Sequence, residues 1–203
     1  MTELTTSDVR AEDHREALSR VFDSRARHKW SDKPVPEALV RELYDFVKLG
    51  PTSVNSLPAR FRFLLSQAAK ERLAGHVFES NCTKVVTAPC VVIIAYDEAF
   101  YEQLPKLLPI RQGVRELFAD SPELAHSTAF RNSSLQGAYL MVAARLLGLD
   151  CGPMSGFDNA GVDNEFFAGT TLKSNFICAL GYANDEPFPR LPRLCFEEAA
   201  EVL

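Results

Sequence analysis

The chain has 203 residues, a formal charge of −5 and a hydrophobic content of 46%. That length and apolar share are enough for one globular unit with a sizeable core, and the negative balance argues against nucleic acid and anionic membrane as partners. No apolar run reaches the roughly 18 residues that span a bilayer, and the acidic start MTELTTSDVRAEDHRE does not read as a signal peptide, so the expectation is cytoplasmic.

Residues 1–13 are polar and expected to be loose. His14 to Asp23 has helical spacing, with Ala17, Leu18, Val21 and Phe22 on one face. A basic cluster of Arg25, Arg27, His28 and Lys29 precedes Trp30, and Asp32 to Pro36 reads as linker. Glu37 to Leu49 predicts a helix with Leu39, Leu43, Phe46 and Val47 inward, closed by Gly50-Pro51. A polar loop from Thr52 to Pro58 leads to a strand over Arg60 to Leu65 and a helix over Ala68 to Phe78. VVTAPCVVIIAY, beginning at Val85, carries a buried central strand in its second half. Asp97 to Leu124 holds Pro105, Pro109 and Pro122 with Arg111 and Arg115, and reads as an excursion of short helices over a site.

Phe130 to Asp158, FRNSSLQGAYLMVAARLLGLDCGPMSGFD, is the stretch around which the rest is arranged. Arg131, Asn132, Ser133, Ser134 and Gln136 form a polar start, and Leu135, Ala138, Tyr139, Val142, Leu146 and Leu147 recur at helical spacing. Gly148 stops that helix, and after a short extended piece the chain turns through Gly152, Pro153, Met154, Ser155 and Gly156. Such a turn describes backbone held close to something flat, with free amides pointing at it. Val162 to Phe167 is a short helix, Phe176 to Tyr182 a second buried strand, and Phe196 to Val202 a final helix. Few strands and long helices in mixed order predict an α+β fold, a mixed sheet packed between helices.

The five cysteines show no C-x-x-C spacing and the four histidines are scattered, so no metal is expected. There is no G-x-G-x-x-G after a strand, no G-x-x-x-x-G-K-[ST] and no G-x-S-x-G. If such a chain is an enzyme, its reaction chemistry is expected to fall to a bound cofactor. Four polar clusters remain: Arg25, Arg27 and His28; Thr52, Ser53 and Asn55; Asn81 and Lys84; Arg190 and Arg193.

Taken with Gly152 to Gly156, these clusters resemble the FMN-dependent nitroreductase superfamily from about Ser24 to Phe196. The basic opening is Arg25-Ala26-Arg27-His28-Lys29-Trp30, and the A-P-S-x-x-N-like block is Gly50-Pro51-Thr52-Ser53-Val54-Asn55. The N-x-x-K element is Asn81 with Lys84, the P-x-x-G-F-D turn runs from Pro153 to Asp158, and Arg190-Leu191-Pro192 closes the set. Within the superfamily, FRNSSLQGAYL, GLDCGPMSGFD, TLKSN and RLPRLCFEEA look like the malonic semialdehyde reductase (3-hydroxypropionate dehydrogenase) branch of pyrimidine breakdown.

The resemblance implies one FMN-binding domain over residues 1–203 and an intertwined homodimer. It places Arg25 and Arg27, with Arg190 or Arg193, on the FMN phosphate, and Asn81 on the pyrimidine edge of the flavin. Lys84 and His28 fall near its N1–C2=O end, backbone amides of Ser155 and Gly156 near N5 and O4, and Pro153 and Met154 on the ring face. Pro51, Thr52, Ser53 and Asn55 come from the partner subunit. Lys84 is expected to tune the flavin, and Arg115, or else Arg131, to hold a substrate carboxylate. The implied activity is reduction of a small aldehyde, malonic semialdehyde, by NADH or NADPH. The alternatives are a nitroreductase or quinone reductase of the same cofactor class, and a flavin-binding protein without turnover. Ala26, Leu57, Ala59 and Ser155 depart from the family pattern, which weakens the carry-over of nitroaromatic specificity and leaves flavin binding intact.

Overall fold

The computed structural model describes residues 6–186 and 188–203. Four strands are described: β1 (Ala59–Leu64), β2 (Cys90–Asp97), β3 (Asp150–Met154) and β4 (Leu172–Gly181). They form one sheet in the order β1-β2-β4-β3. Every pairing is antiparallel, so among the described strands the sheet lacks the parallel member that a mixed sheet requires. Strand β4 runs back between β2 and β3, which makes both of its pairings antiparallel.

Strand β2 is an uninterrupted apolar run because both faces of the sheet are covered. Val91, Ile93 and Ala95 point into a core shared with Leu73, Val85 and Val162. Those residues belong to α3 (Gln67–Ala74), α4 (Glu79–Thr87) and α8 (Asn159–Phe166). Cys90, Val92 and Ile94 alternate to the other face and meet Leu43, Val47, Leu140 and Ala144. These come from α2 (Glu37–Val47) and α7 (Pro122–Leu146). The α+β layering of helices on both sides of a sheet is therefore as expected.

Several boundaries differ from the sequence expectation. Helix α1 (Thr6–Phe22) begins before His14, while residues 1–5 of the stretch expected to be loose lie outside the described residues. Helix α7 begins at Pro122, so the polar run from Arg131 lies inside it. The long helix forms there because the polar groups are satisfied by their own helix. Ser133 and Ser134 donate to the Phe130 carbonyl at 3.0 and 2.9 Å, and Asn132 Nδ2 donates to that of Thr128 at 2.8 Å. Helix α4 was not anticipated, because the apolar VVTAPCVV run masks its end.

The excursion after β2 is built of a 3-10 turn (Phe100–Gln103), α5 (Leu104–Leu107) and α6 (Val114–Ala119). Phe100, Leu104, Val114 and Phe118 pack with Ala125 and Ala129 of α7 in a small core of their own. A short α9 (Phe196–Ala199) ends the regular structure. No described helix is long and apolar enough to cross a membrane.

Candidate active site

Trp30 anchors the basic segment by a bridge to Ala183 beyond β4, and Arg27 N–H donates to the Cys151 carbonyl of β3 at 3.0 Å. Gly152 is needed at this crossing, since a Cβ there would lie 2.4 Å from the Arg27 carbonyl oxygen. The polar atoms of this segment are left open: Arg25 Nε, His28 Nδ1 and Trp30 Nε1 are buried without a partner among the described residues. Buried polar groups without partners cost about 1–3 kcal/mol each, so three on six residues mark a place for a ligand.

Helix α4 brings up the next groups. Asn81 is buried, and its Nδ2 donates to the Gly156 carbonyl at 3.0 Å while its Oδ1 accepts from Lys84 Nζ at 3.0 Å. Phe78 N–H donates to the same Gly156 carbonyl at 3.0 Å, and Val77 bridges Phe157. The turn is thus fixed by its carbonyl, leaving the Ser155 and Gly156 amides as donors to no group among the described residues. A Cβ at Gly156 would lie 2.8 Å from Asn81 Nδ2, so glycine lets α4 and the turn meet. Burial first, and then the Lys84 ammonium, hold the His28 pKa below its ordinary value. His28 is therefore largely neutral at neutral pH, and the cations here are Arg25, Arg27 and Lys84.

Strand geometry separates Pro153 from Met154. Met154 lies within β3 and is buried in the core beside Val85 and Ile177, while Pro153 is exposed. Successive side chains alternate across a strand, so Met154 points into that core and Pro153 to the opposite, exposed side.

Pro51, Thr52, Ser53 and Asn55 form a second constellation that shares no hydrogen bond with the first among the described residues. Ser53 N–H donates to Asn132 Oδ1 at 2.8 Å, and Asn55 Nδ2 donates to the Leu107 carbonyl at 2.8 Å. Tyr139 hydroxyl donates to the Pro51 carbonyl at 2.9 Å, and Ala59 N–H donates to Gln136 Oε1 at 2.9 Å. Val54, Asn55 and Leu57 adopt positive φ of 48°, 51° and 39°. Non-glycine residues there cost about 1–2 kcal/mol each, strain that clusters at functional loops.

Four arginines are separated by their surroundings. Arg190 donates to the Phe22 carbonyl at 2.7 Å, beside the basic segment, whereas Arg193 donates only to the carbonyls of Leu191 and Pro192. Arg115 is engaged by Glu102 through two hydrogen bonds of 2.9 and 2.6 Å, which ties α6 to the preceding 3-10 turn. Arg131 is exposed, has no hydrogen bond or ion pair among the described residues, and lines a groove of about 690 Å³ with His126, Phe130 and Ala138. Asp185, which the sequence did not point to, donates nothing but holds Arg27: it accepts Nε of Arg27 at 3.0 Å. No group of metal-ligating side chains is present among the described residues.

The chain matches the nitroreductase family over residues 25–182. It is 56% identical over 189 residues to a Caulobacter sp. (strain K31) protein with the provisional name NADH dehydrogenase/NAD(P)H nitroreductase, covering 92% of this chain and 96% of that one. A Ralstonia pickettii protein of the same provisional name is 54% identical over 191 residues, covering 92% and 97%. A provisionally named nitroreductase from Exiguobacterium sibiricum 255-15, solved in complex with FMN, has the same fold at a TM-score of 0.83 and 20% identity, covering 92% of this chain and 96% of that chain.

Proposed function

This chain belongs to the nitroreductase family, and from that premise we propose that it is an FMN-dependent oxidoreductase that takes electrons from NADH or NADPH and passes them to a nitro or quinone acceptor. The observation that carries this reading is the open set of donors: Arg25, His28 and Trp30 with buried unpartnered nitrogens, beside the free amides of Ser155 and Gly156. Such a set fits a flat, phosphate-bearing group with an acceptor-rich edge. FMN, if held there, would supply hydride uptake from the nicotinamide and its delivery to the acceptor.

The protein's own groups bind and orient. Arg25 and Arg27 carry guanidinium forks suited to a phosphate, with Arg190 beside them as the late arginine. Asn81 offers an amide already oriented by Gly156 and Lys84. With FMN bound, Lys84 would supply a positive charge that stabilises the electron density gained on reduction. Residues 1–203 act as one FMN-binding domain in a homodimer whose second subunit brings Pro51, Thr52, Ser53 and Asn55 to the cofactor, and the excursion over residues 97–124 covers the acceptor.

A second reading, reduction of malonic semialdehyde to 3-hydroxypropionate, is favoured by the unpaired guanidinium of Arg131 beside an apolar groove. Arg115, the first candidate for holding the carboxylate, is already neutralised by Glu102, so the role falls to Arg131. The test is NAD(P)H oxidation with nitrofurazone, menadione and malonic semialdehyde as acceptors. Nitrofurazone and menadione are expected to turn over. Should malonic semialdehyde also react, Arg131→Ala is expected to lower its kcat/KM by about 10- to 150-fold, the worth of one charge-assisted hydrogen bond, with menadione nearly unchanged. Flavin-loaded protein that oxidises NAD(P)H with none of the three would instead indicate flavin binding without turnover.

A further inference from the structure

Asp185 lies on the irregular segment that follows β4. Its Oδ1 accepts from Arg27 Nε at 3.0 Å and lies 2.9 Å from Arg27 Nη2, and Arg27 also donates to its main-chain oxygen. The two side chains are only 15% and 14% exposed, so this pair is sheltered from solvent screening in a way the chain's surface pairs are not. The carboxylate also acts on His28, raising its pKa against the lowering effects of burial and Lys84. It therefore sits within the field of the same cations that frame the cofactor site. The same segment is tied twice more, by Arg25 Nη1 to the Phe188 carbonyl and by Arg190 Nη2 to the Phe22 carbonyl, each at 2.7 Å.

Two N–H···O contacts from one guanidinium to one anion are the means by which arginine grips phosphate. One carboxylate already fills that role at Arg27. A phosphate brought to the same guanidinium would face a second anion at hydrogen-bonding range, and like charges so close in a sheltered site repel strongly. Without any ligand, the carboxylate spares Arg27 the cost of an uncompensated, partly buried charge.

We propose that Asp185 is an internal counter-anion that the cofactor phosphate displaces from Arg27, and that this exchange sets how strongly the protein favours phosphate-bearing flavin over flavin without phosphate. The proposal rests on the reading above that Arg27 anchors the phosphate. Displacing Asp185 weakens FMN binding by the strength of the Arg27–Asp185 pair. It leaves riboflavin, which has no phosphate, outside the competition.

The experiment is a titration of flavin-stripped protein with FMN and with riboflavin, followed by quenching of flavin fluorescence. It is run on the unaltered chain, Asp185→Asn, Asp185→Glu and Arg27→Gln. Asp185→Asn is expected to tighten FMN by about tenfold and leave riboflavin unchanged, while Asp185→Glu, which keeps the charge, stays near the parent. Weaker FMN binding in Asp185→Asn would overturn the proposal and make Asp185 an orienting partner of Arg27. Unchanged FMN binding would overturn it too. Arg27→Gln separates the two layers: it must weaken FMN and spare riboflavin. If it weakens neither, or both alike, the phosphate anchor itself is wrong and the proposal falls with it.

Discussion

Asn81 and Lys84 sit one turn apart on α4, with the ammonium 3.0 Å from the amide oxygen. Because His28 is depressed by burial and by Lys84 itself, Lys84 is the charge that acts at this end of the site near neutral pH. Lys84→Ala is therefore expected to lower the flavin reduction potential and slow reduction by NADH by about tenfold, the low end for a charge-assisted hydrogen bond. Most FMN should stay bound, since the phosphate end is untouched. Anaerobic stopped-flow reduction with a potentiometric titration reads both effects, and an unchanged rate and potential would reduce Lys84 to a partner that only steadies Asn81. Asn81 and Lys84 could be picked out from their three-residue spacing only through the family resemblance. Asp185 could not, because its partner lies 158 positions away and nothing local connects an acidic loop residue to a distant arginine.

The polar middle of α7 looked like a helix start because Asn132, Ser133 and Ser134 are residue types that favour caps. In the fold Asn132 serves the loop that β1 follows, and the two serines serve the bulge in β4. Asn132 and Gln136 are buried and accept the Ser53 and Ala59 amides, and Asn175, at the bulge between β2 and β4, donates to Ser133 and Ser134 at 2.9 Å. These contacts hold three residues at positive φ. Asn132→Ala should cost about 1–3 kcal/mol, read as a lower denaturant midpoint with an unchanged slope, because it strands the Ser53 amide and releases the strained loop. Loss below about 0.5 kcal/mol would mean that the loop is held by its other contacts alone. Helix α4 escaped the sequence for the opposite reason: its last turn is as apolar as the strand it precedes. Its C-terminal carbonyls are closed by the buried Lys70, whose Nζ donates to Val86 and Ala88 at 3.3 and 2.7 Å. That contact joins two helices and has no local pattern.

The layering of the whole molecule was legible because β2 and the second half of β4 are continuous apolar runs and α2 and α7 keep helical spacing. Strand direction was not, since pairing partners far apart in sequence set it. What lies on the outside was only half legible. Phe46, expected to face inward, is 54% exposed, and Leu18 and Phe22 on the apolar face of α1 are 57% and 63% exposed. A groove of about 410 Å³ lined by Phe46, Tyr139, Val142 and Leu146 runs between α2 and α7. Apolar surface of this kind calls for a covering partner, and a second copy would also carry its Thr52–Asn55 loop to the first constellation. Sedimentation equilibrium is expected to give a dimer for FMN-loaded protein. A fully loaded monomer would contradict the shared site. Apparent FMN affinity should also weaken modestly with salt, as a half-buried arginine cluster is only partly screened. The claim on which all of this stands is that the open donors between β3 and α4 hold a redox-active flavin. The absorption spectrum of the purified protein, recorded after FMN reconstitution and desalting and again after anaerobic NADH or NADPH, tests it most directly. The account predicts bound oxidised-flavin bands that bleach on adding the nicotinamide, and protein that stays colourless after reconstitution would contradict it.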